Sequence, residues 1–216
     1  MKIKEISRHI DYTQLKAFST WEDIKMLCDE AIENECASVC IPPAFVANVK
    51  KEYKSLVKIC TVIGFPLGYN TVETKAFETM NALNNGADEI DMVINIGDAK
   101  SGQFDKITKE IATLKTLVGN KILKVIVETC YFTNEEKIAL CKCVSDGGAN
   151  FIKTSTGFGT GGAKLDDIAL FKKEISKDVK IKAAGGVRTK ADMEAFLDAG
   201  CERIGASTKF SKLSEV

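Results

Sequence analysis

Eight times along this chain a short apolar run is followed by a longer amphipathic one, and that alternation limits the fold more than any other feature. The short runs are RHIDY (8–12), ASVCI (37–41), VKICTVI (57–63), DEIDMVINI (88–96), ILKVIVE (122–128), NFIKTS (150–155), KIKAA (180–184) and ERIGA (202–206). Each has the length of a strand. The stretches between them, such as TWEDIKMLCDEAIEN (20–34) and TVETKAFETMNALNN (71–85), repeat apolar residues every three or four positions, as amphipathic helices do. Thr133 and Glu136 form a capping-box pattern before KIALC. Gly86, Gly148 and Gly200 stand just past helical patterns, where a helix stops. Eight β/α units in a 216-residue chain predict a compact α/β fold, a (β/α)8 or TIM barrel, with residues 1–216 as a single catalytic domain. An open, doubly wound parallel sheet is the alternative.

Charge and composition remove several function classes. Lys+Arg and Asp+Glu balance at 30 each, which argues against a nucleic-acid partner. No run of 18 apolar residues occurs, so no membrane span is expected. The opening MKIKEISRHIDYT lacks the apolar segment of a signal peptide. Eight scattered cysteines in a chain of this size read as free thiols of a reducing cytoplasm rather than as staples. There is no C-x-x-C, and His9 is the only histidine, so no metal site is expected.

One motif points elsewhere. STGFGTGG (155–162) places Gly157, Gly159 and Gly162 in the dinucleotide pattern G-x-G-x-x-G. That loop belongs in the first β/α turn of an open sheet, with an acidic residue about 20 positions later. Here it follows the sixth strand candidate, and position 182 is a lysine. The expectation is a phosphate-binding loop without a nicotinamide cofactor.

In such a barrel, chemistry sits at the C-terminal ends of the strands. Charged residues inside apolar strands therefore stand out: Asp91, Lys153 and Lys182 first, with Lys124 and Glu128 behind them. A lone strand lysine usually belongs to an ion pair or a surface end. Two on adjacent strands, with an aspartate two strands before the first, shift the reading toward a site. A lysine attacks carbon only when neutral, and its ordinary pKa is about 10.4. Lowering that by about 3 takes roughly 4 kcal/mol of differential interaction, which a neighbouring cation and partial burial can supply. The expectation is that Lys182 lowers Lys153, giving a Schiff-base nucleophile that needs no cofactor and no metal. The loops GGVRTKADMEAF and GAST read as a phosphate cradle at the last two strands.

The stretches IDYTQLK (10–16), SVCIPPAFV (38–46), VIGFPLG (62–68), GADEIDMVINIG (86–97), LKVIVET (123–129), NFIKTSTGFGTGGA (150–163), KAAGGVRT (182–189) and RIGAST (203–208) together resemble the deoxyribose-phosphate aldolases, in order and over nearly the whole chain. The resemblance implies a class I aldolase on a (β/α)8 barrel. Such an enzyme cleaves 2-deoxy-D-ribose 5-phosphate reversibly to D-glyceraldehyde 3-phosphate and acetaldehyde. It implies Lys153 as the Schiff-base lysine, Lys182 as its perturbing neighbour and Asp91 in proton transfer. It implies phosphate contacts at Gly157, Gly185, Gly186, Arg188, Gly205 and Ser207, and leaves a homodimer open. Three departures stand out: Tyr12 replaces the histidine common in IDHT, Thr208 replaces a second serine, and the chain stops at Val216 without a longer tail. Two other functions compete: a non-catalytic sugar-phosphate binder, whose mark would be loss of Lys153 or Asp91, and a Schiff-base aldolase for another sugar phosphate.

Overall fold

The computed structural model describes residues 1–213. Its eight strands form one closed, wholly parallel barrel in chain order: β1 (Ile10–Thr13), β2 (Ser38–Ile41), β3 (Ile59–Ile63), β4 (Glu89–Val93), β5 (Ile122–Ile126), β6 (Phe151–Lys153), β7 (Lys180–Ala184) and β8 (Arg203–Ala206). β1 closes the ring on β8, with Tyr12 beside Ala206. All eight strand expectations hold, and closure of the ring rules out the open sheet. The glycine motif therefore does not sit in a dinucleotide fold.

The predicted helices also form: α2 (Trp21–Glu33), α3 (Val46–Tyr53), α4 (Val72–Asn84), α6 (Phe104–Val118), α7 (Asn134–Asp146), α8 (Leu165–Glu174) and α9 (Lys190–Asp198). Thr133 caps α7 through the expected box, donating its N–H to Glu136 at 2.7 Å. Three short helices lie outside the periodic pattern: α1 (Ile3–Ser7), α5 (Ile96–Lys100) and α10 (Phe210–Leu213). Each spans at most five residues, too few for a 3.6-residue period to register.

Strand alternation divides the side chains into two populations. In β4, Ile90 and Met92 face the helices, while Glu89 and Asp91 face the barrel axis. In β5, Leu123 and Val125 face out and Lys124 faces in. The main apolar core is therefore the layer between sheet and helices. The barrel centre, usually filled by branched aliphatic residues, instead carries ionised groups.

A second buried pair lies outside the barrel axis. Lys75 on α4 donates to Glu110 on α6 at 2.6 Å and to the Val93 carbonyl at 2.8 Å. Both side chains are buried. Burial holds the Lys75 ammonium below the ordinary lysine value and pushes the Glu110 carboxyl up. Removing one partner of such a pair typically costs about 3–5 kcal/mol, so this link fixes α4 and α6 to the end of β4. Both residues lie in amphipathic stretches, where a charged residue normally reads as a solvated face.

Candidate active site

Asp91 is the hub of the barrel interior. Its Oδ2 accepts from Lys153 and from Lys182, each at 2.8 Å. Its Oδ1 accepts from Lys124 at 2.8 Å and from the Cys60 thiol at 3.1 Å. Strand register produces this convergence: Asp91 lies beside Lys124, and Lys153 lies beside Lys182. A second layer completes the cluster. Asp11 accepts from Lys182 and Arg203. Glu89 pairs with Lys124 at 2.5 Å and with the Arg203 guanidinium at 3.0 and 3.1 Å. Three carboxylates thus face four cationic side chains, all nearly out of water.

Burial alone would raise the Asp91 carboxyl, but Lys124, Lys153 and Lys182 hold it well below the ordinary value. Asp11 behaves likewise, against the same burial penalty, through Lys124, Lys182 and Arg203. Burial disfavours the Lys182 ammonium, yet Asp11 and Asp91 raise it above the ordinary lysine value. The expected lysine–lysine couple is therefore bridged. A carboxylate stands between Lys153 and Lys182, and Lys182 remains a firmly held cation.

Above this cluster, at the C-terminal ends of the strands, a cavity of about 270 Å³ opens to solvent. Lys153 lines it, together with Gly157, Gly185, Gly186, Arg188, Gly205 and Ser207. All six predicted phosphate contacts are thus gathered around one opening with the predicted nucleophile. Asp91 and Lys182 do not line it; they lie beneath Lys153, fully buried. Gly185 and Gly186 have φ of +85° and +78°, a conformation that side chains disfavour, so the turn after β7 depends on their being glycine. Arg188 is exposed. Its backbone N–H donates to Asp192, the N-terminal cap partner of α9, at 3.1 Å, which fixes the residue at the cavity rim.

The glycine loop packs between two strands' ends. A side-chain carbon at Gly162 would fall 2.2 Å from the Gly185 carbonyl oxygen, and Ala163 N–H donates to that oxygen at 3.0 Å. At its other end, Glu128 accepts from Thr156 N–H at 3.2 Å and from the Thr156 hydroxyl. Glu128 is buried and left-handed, with φ of +52°, at a cost of about 1–2 kcal/mol for a residue with a side chain. Burial raises its carboxyl above the ordinary value, while the Thr156 hydrogen bonds oppose that rise.

Tyr12, in place of the common histidine, lies away from the site. It faces the helices, not the charged cluster: its hydroxyl donates to Glu30 on α2 and its ring meets Phe210 edge-on at 5.2 Å. Its replacement of a histidine therefore leaves the cluster untouched. The expectation about a missing tail concerns the chain end, and residues 214–216 lie outside the described ones. Asp11, Glu89 and Arg203 went unremarked in the sequence although they carry the same signal as Asp91, a charge within an apolar strand. Near a strand's end such a charge reads as a surface residue. Cys40, Cys60 and Asp91 bring ligand atoms within 4.8 Å of one another. The ammonium groups already on Asp91 and Cys60 oppose a cation there. All eight cysteines are free.

A family model described as DeoC/LacD family aldolase matches residues 8–208. The chain belongs to this family. A deoxyribose-phosphate aldolase of Clostridium botulinum, strain Alaska E43, is 58% identical over 207 residues, covering 96% of this chain and 94% of the relative. Among solved structures, QR15, an aldolase, superposes with a TM-score of 0.92 at 34% identity, over 98% of this chain and 95% of that one. The tetrameric deoxyribose phosphate aldolase of Aeropyrum pernix gives a TM-score of 0.87 at 27% identity, over 96% and 89%. The chain is accordingly an aldolase, a carbon–carbon lyase.

The depressed carboxyls make the aldolase acid-sensitive in a defined window. An unfolded aspartate titrates near 3.9, and Asp11 in the fold stays ionised below that. Its stabilising contribution is complete above about pH 5 and is lost as pH falls toward the folded value. Asp11→Asn is expected to lower unfolding free energy at pH 7 by about 3 kcal/mol or more. It should also flatten the decline between about pH 5 and pH 3. Urea titrations at both ends of that range check this; an unchanged slope would remove Asp11 from the account.

Proposed function

We propose that this aldolase cleaves 2-deoxy-D-ribose 5-phosphate reversibly to D-glyceraldehyde 3-phosphate and acetaldehyde, through a Schiff base on Lys153, with the whole chain as one catalytic barrel. The observation that carries the reading is the position of Lys153. It is the one member of the charged cluster that lines the cavity, and it does so beside the glycine loops and Arg188. The name borne by the Clostridium botulinum relative supports the substrate.

Each step has a group to serve it. Neutral Lys153 Nζ attacks C1 of the open-chain sugar, and the carbonyl oxygen leaves as water. A base takes the C3 hydroxyl proton. The C2–C3 bond breaks, its electron pair moves into the enamine, and C3 becomes the aldehyde of glyceraldehyde 3-phosphate. Protonation at C2 and hydrolysis then release acetaldehyde and free the lysine. Asp91 Oδ2 accepts from both Lys153 and Lys182, so one carboxylate oxygen links the two nitrogens. In this reading Asp91 takes part in proton transfer, and Lys182 is the charged neighbour that acts on Lys153 across it. Neither a cofactor nor a metal takes part.

Borohydride reduction in the presence of deoxyribose 5-phosphate should leave a stable adduct on Lys153, located by mass spectrometry. Lys153→Ala should retain less than about one per cent of turnover, since covalent catalysis supplies orders of magnitude. An adduct on another residue would overturn the assignment.

Arg188 supplies the charge for the 5-phosphate in this reading, and Gly157, Gly185, Gly186, Gly205 and Ser207 supply neutral donors. A charge-assisted hydrogen bond is worth about 1.5–3 kcal/mol, so Arg188→Met should lower kcat/KM for the phosphorylated sugar roughly 10- to 150-fold. Unphosphorylated 2-deoxyribose should be used almost as before. Equal losses on both sugars would make Arg188 a surface residue only.

The reading extends to a cytoplasmic homodimer. Eight free thiols fit a reducing compartment. Phe77 and Met80, three apart on one face of α4, are 66% and 44% exposed, an apolar pair that a second copy of the chain would cover. Sedimentation that returned the mass of one chain would exclude the dimer.

A further inference from the structure

We infer that Glu128 is a positioning residue for the phosphate end of the substrate, acting through Thr156; the inference rests on the reading of the cavity given above. Glu128 sits just past β5, on the opposite side of Lys153's strand from Lys182. No cation lies within ion-pair distance of it among the described residues; its hydrogen-bond partner is Thr156 of the loop, and the Lys153 charge reaches it only through space. One of its oxygens takes Thr156 N–H at 3.2 Å, the other takes the same N–H at 3.3 Å, and the Thr156 hydroxyl also donates to it.

These bonds set the loop in a fixed order. Because the Thr156 hydroxyl spends its proton on Glu128, its lone pair faces Phe158, whose N–H donates to it at 3.0 Å. Thr156 and Phe158 are thereby held on both sides of Gly157, which has φ of +87° and open space where a side chain would stand. Phe158 closes the arrangement against Phe65, edge-on at 5.3 Å. Further along, a side-chain carbon at Gly159 would lie 3.1 Å from Glu128 Cδ, so the loop rests directly on the carboxylate. Thr156, Gly157 and Phe158 all line the cavity; Glu128 does not.

A carboxylate in this place has a specific consequence. It has only acceptors, so it fixes the direction of every hydrogen bond in the relay. A glutamine of the same size keeps one acceptor oxygen but puts an NH2 donor in place of the other, which faces the Thr156 N–H donor-to-donor and breaks the order there. The geometry of the Gly157 amide toward the phosphate then depends on a residue the substrate never touches.

The test is a double-mutant cycle with Glu128→Gln and Thr156→Val, measured with phosphorylated and unphosphorylated deoxyribose. Thr156→Val keeps the backbone N–H and removes only the hydroxyl, so it probes the relay even where the glutamate variant folds poorly. Each single variant should raise KM for deoxyribose 5-phosphate about tenfold, the low end for a charge-assisted bond, with kcat changed less than about threefold. The inhibition constant of inorganic phosphate should rise in step. Kinetics with unphosphorylated deoxyribose should stay near those of the wild type. The double variant should be no worse than the poorer single one, since both break one relay. Equal losses on both sugars, or additive losses in the cycle, would overturn the role of Glu128. A wild-type enzyme that forms no Lys153 adduct would instead overturn the reading of the cavity, so the two failures are distinct.

Discussion

Everything in this barrel turns on one buried carboxylate. Asp91 receives three ammonium groups and a thiol. Ionised groups in a dry interior each carry a desolvation penalty of several kcal/mol, recovered only where geometry and hydrogen bonding are complete. The barrel supplies both. Parallel strands in register set Asp91 beside Lys124 and Lys153 beside Lys182, and their side chains converge on the axis. A sheet that twisted differently would leave three cations unpaired in a low dielectric. The fold and the charge cluster therefore require each other.

The cluster is also graded from bottom to top. Glu89 and Arg203 stand at the first positions of β4 and β8, on the side away from the cavity, and bind each other in a forked pair. Asp11, Lys124 and Lys182 come next, saturated by neighbours. Lys153 stands last, with Asp91 behind it and the cavity in front. Its position gives it one fixed partner and one open side. Rigidity below and access above are what a reactive side chain needs.

The alternation of short apolar and long amphipathic runs made the barrel legible because period 2 and period 3.6 are strong signals over eight repeats. Asp91, Lys153 and Lys182 were legible because charge inside an apolar strand is costly and therefore meaningful. The same rule applies to Asp11, Glu89 and Arg203, but each stands within two residues of its strand's start, where charge is ordinary. Their partners lie on distant strands, and only closure of the ring shows them. Lys75 and Glu110 were hidden differently. Helical spacing put them among solvated residues, and the packing of α4 on α6 buried them. The glycine motif misled only in its pattern: G-x-G-x-x-G describes a backbone that can approach something closely, and here Gly162 approaches Gly185.

The pairing of Asp11 has a consequence in time. Its partners Lys182 and Arg203 are separated from it by 171 and 192 residues. At roughly 5–20 residues per second, the ribosome needs on the order of 10–40 seconds to make the intervening chain. Through that interval the first strand carries a carboxylate whose guanidinium and ammonium do not yet exist. The growing chain can form its hairpin-like β/α units and bury their apolar faces, but it cannot dry the axis. Water must stay there until β7 and β8 have emerged from the exit tunnel. The interior of this barrel is thus the last part to become an interior, and the newborn chain keeps Lys153 wet until synthesis is almost complete.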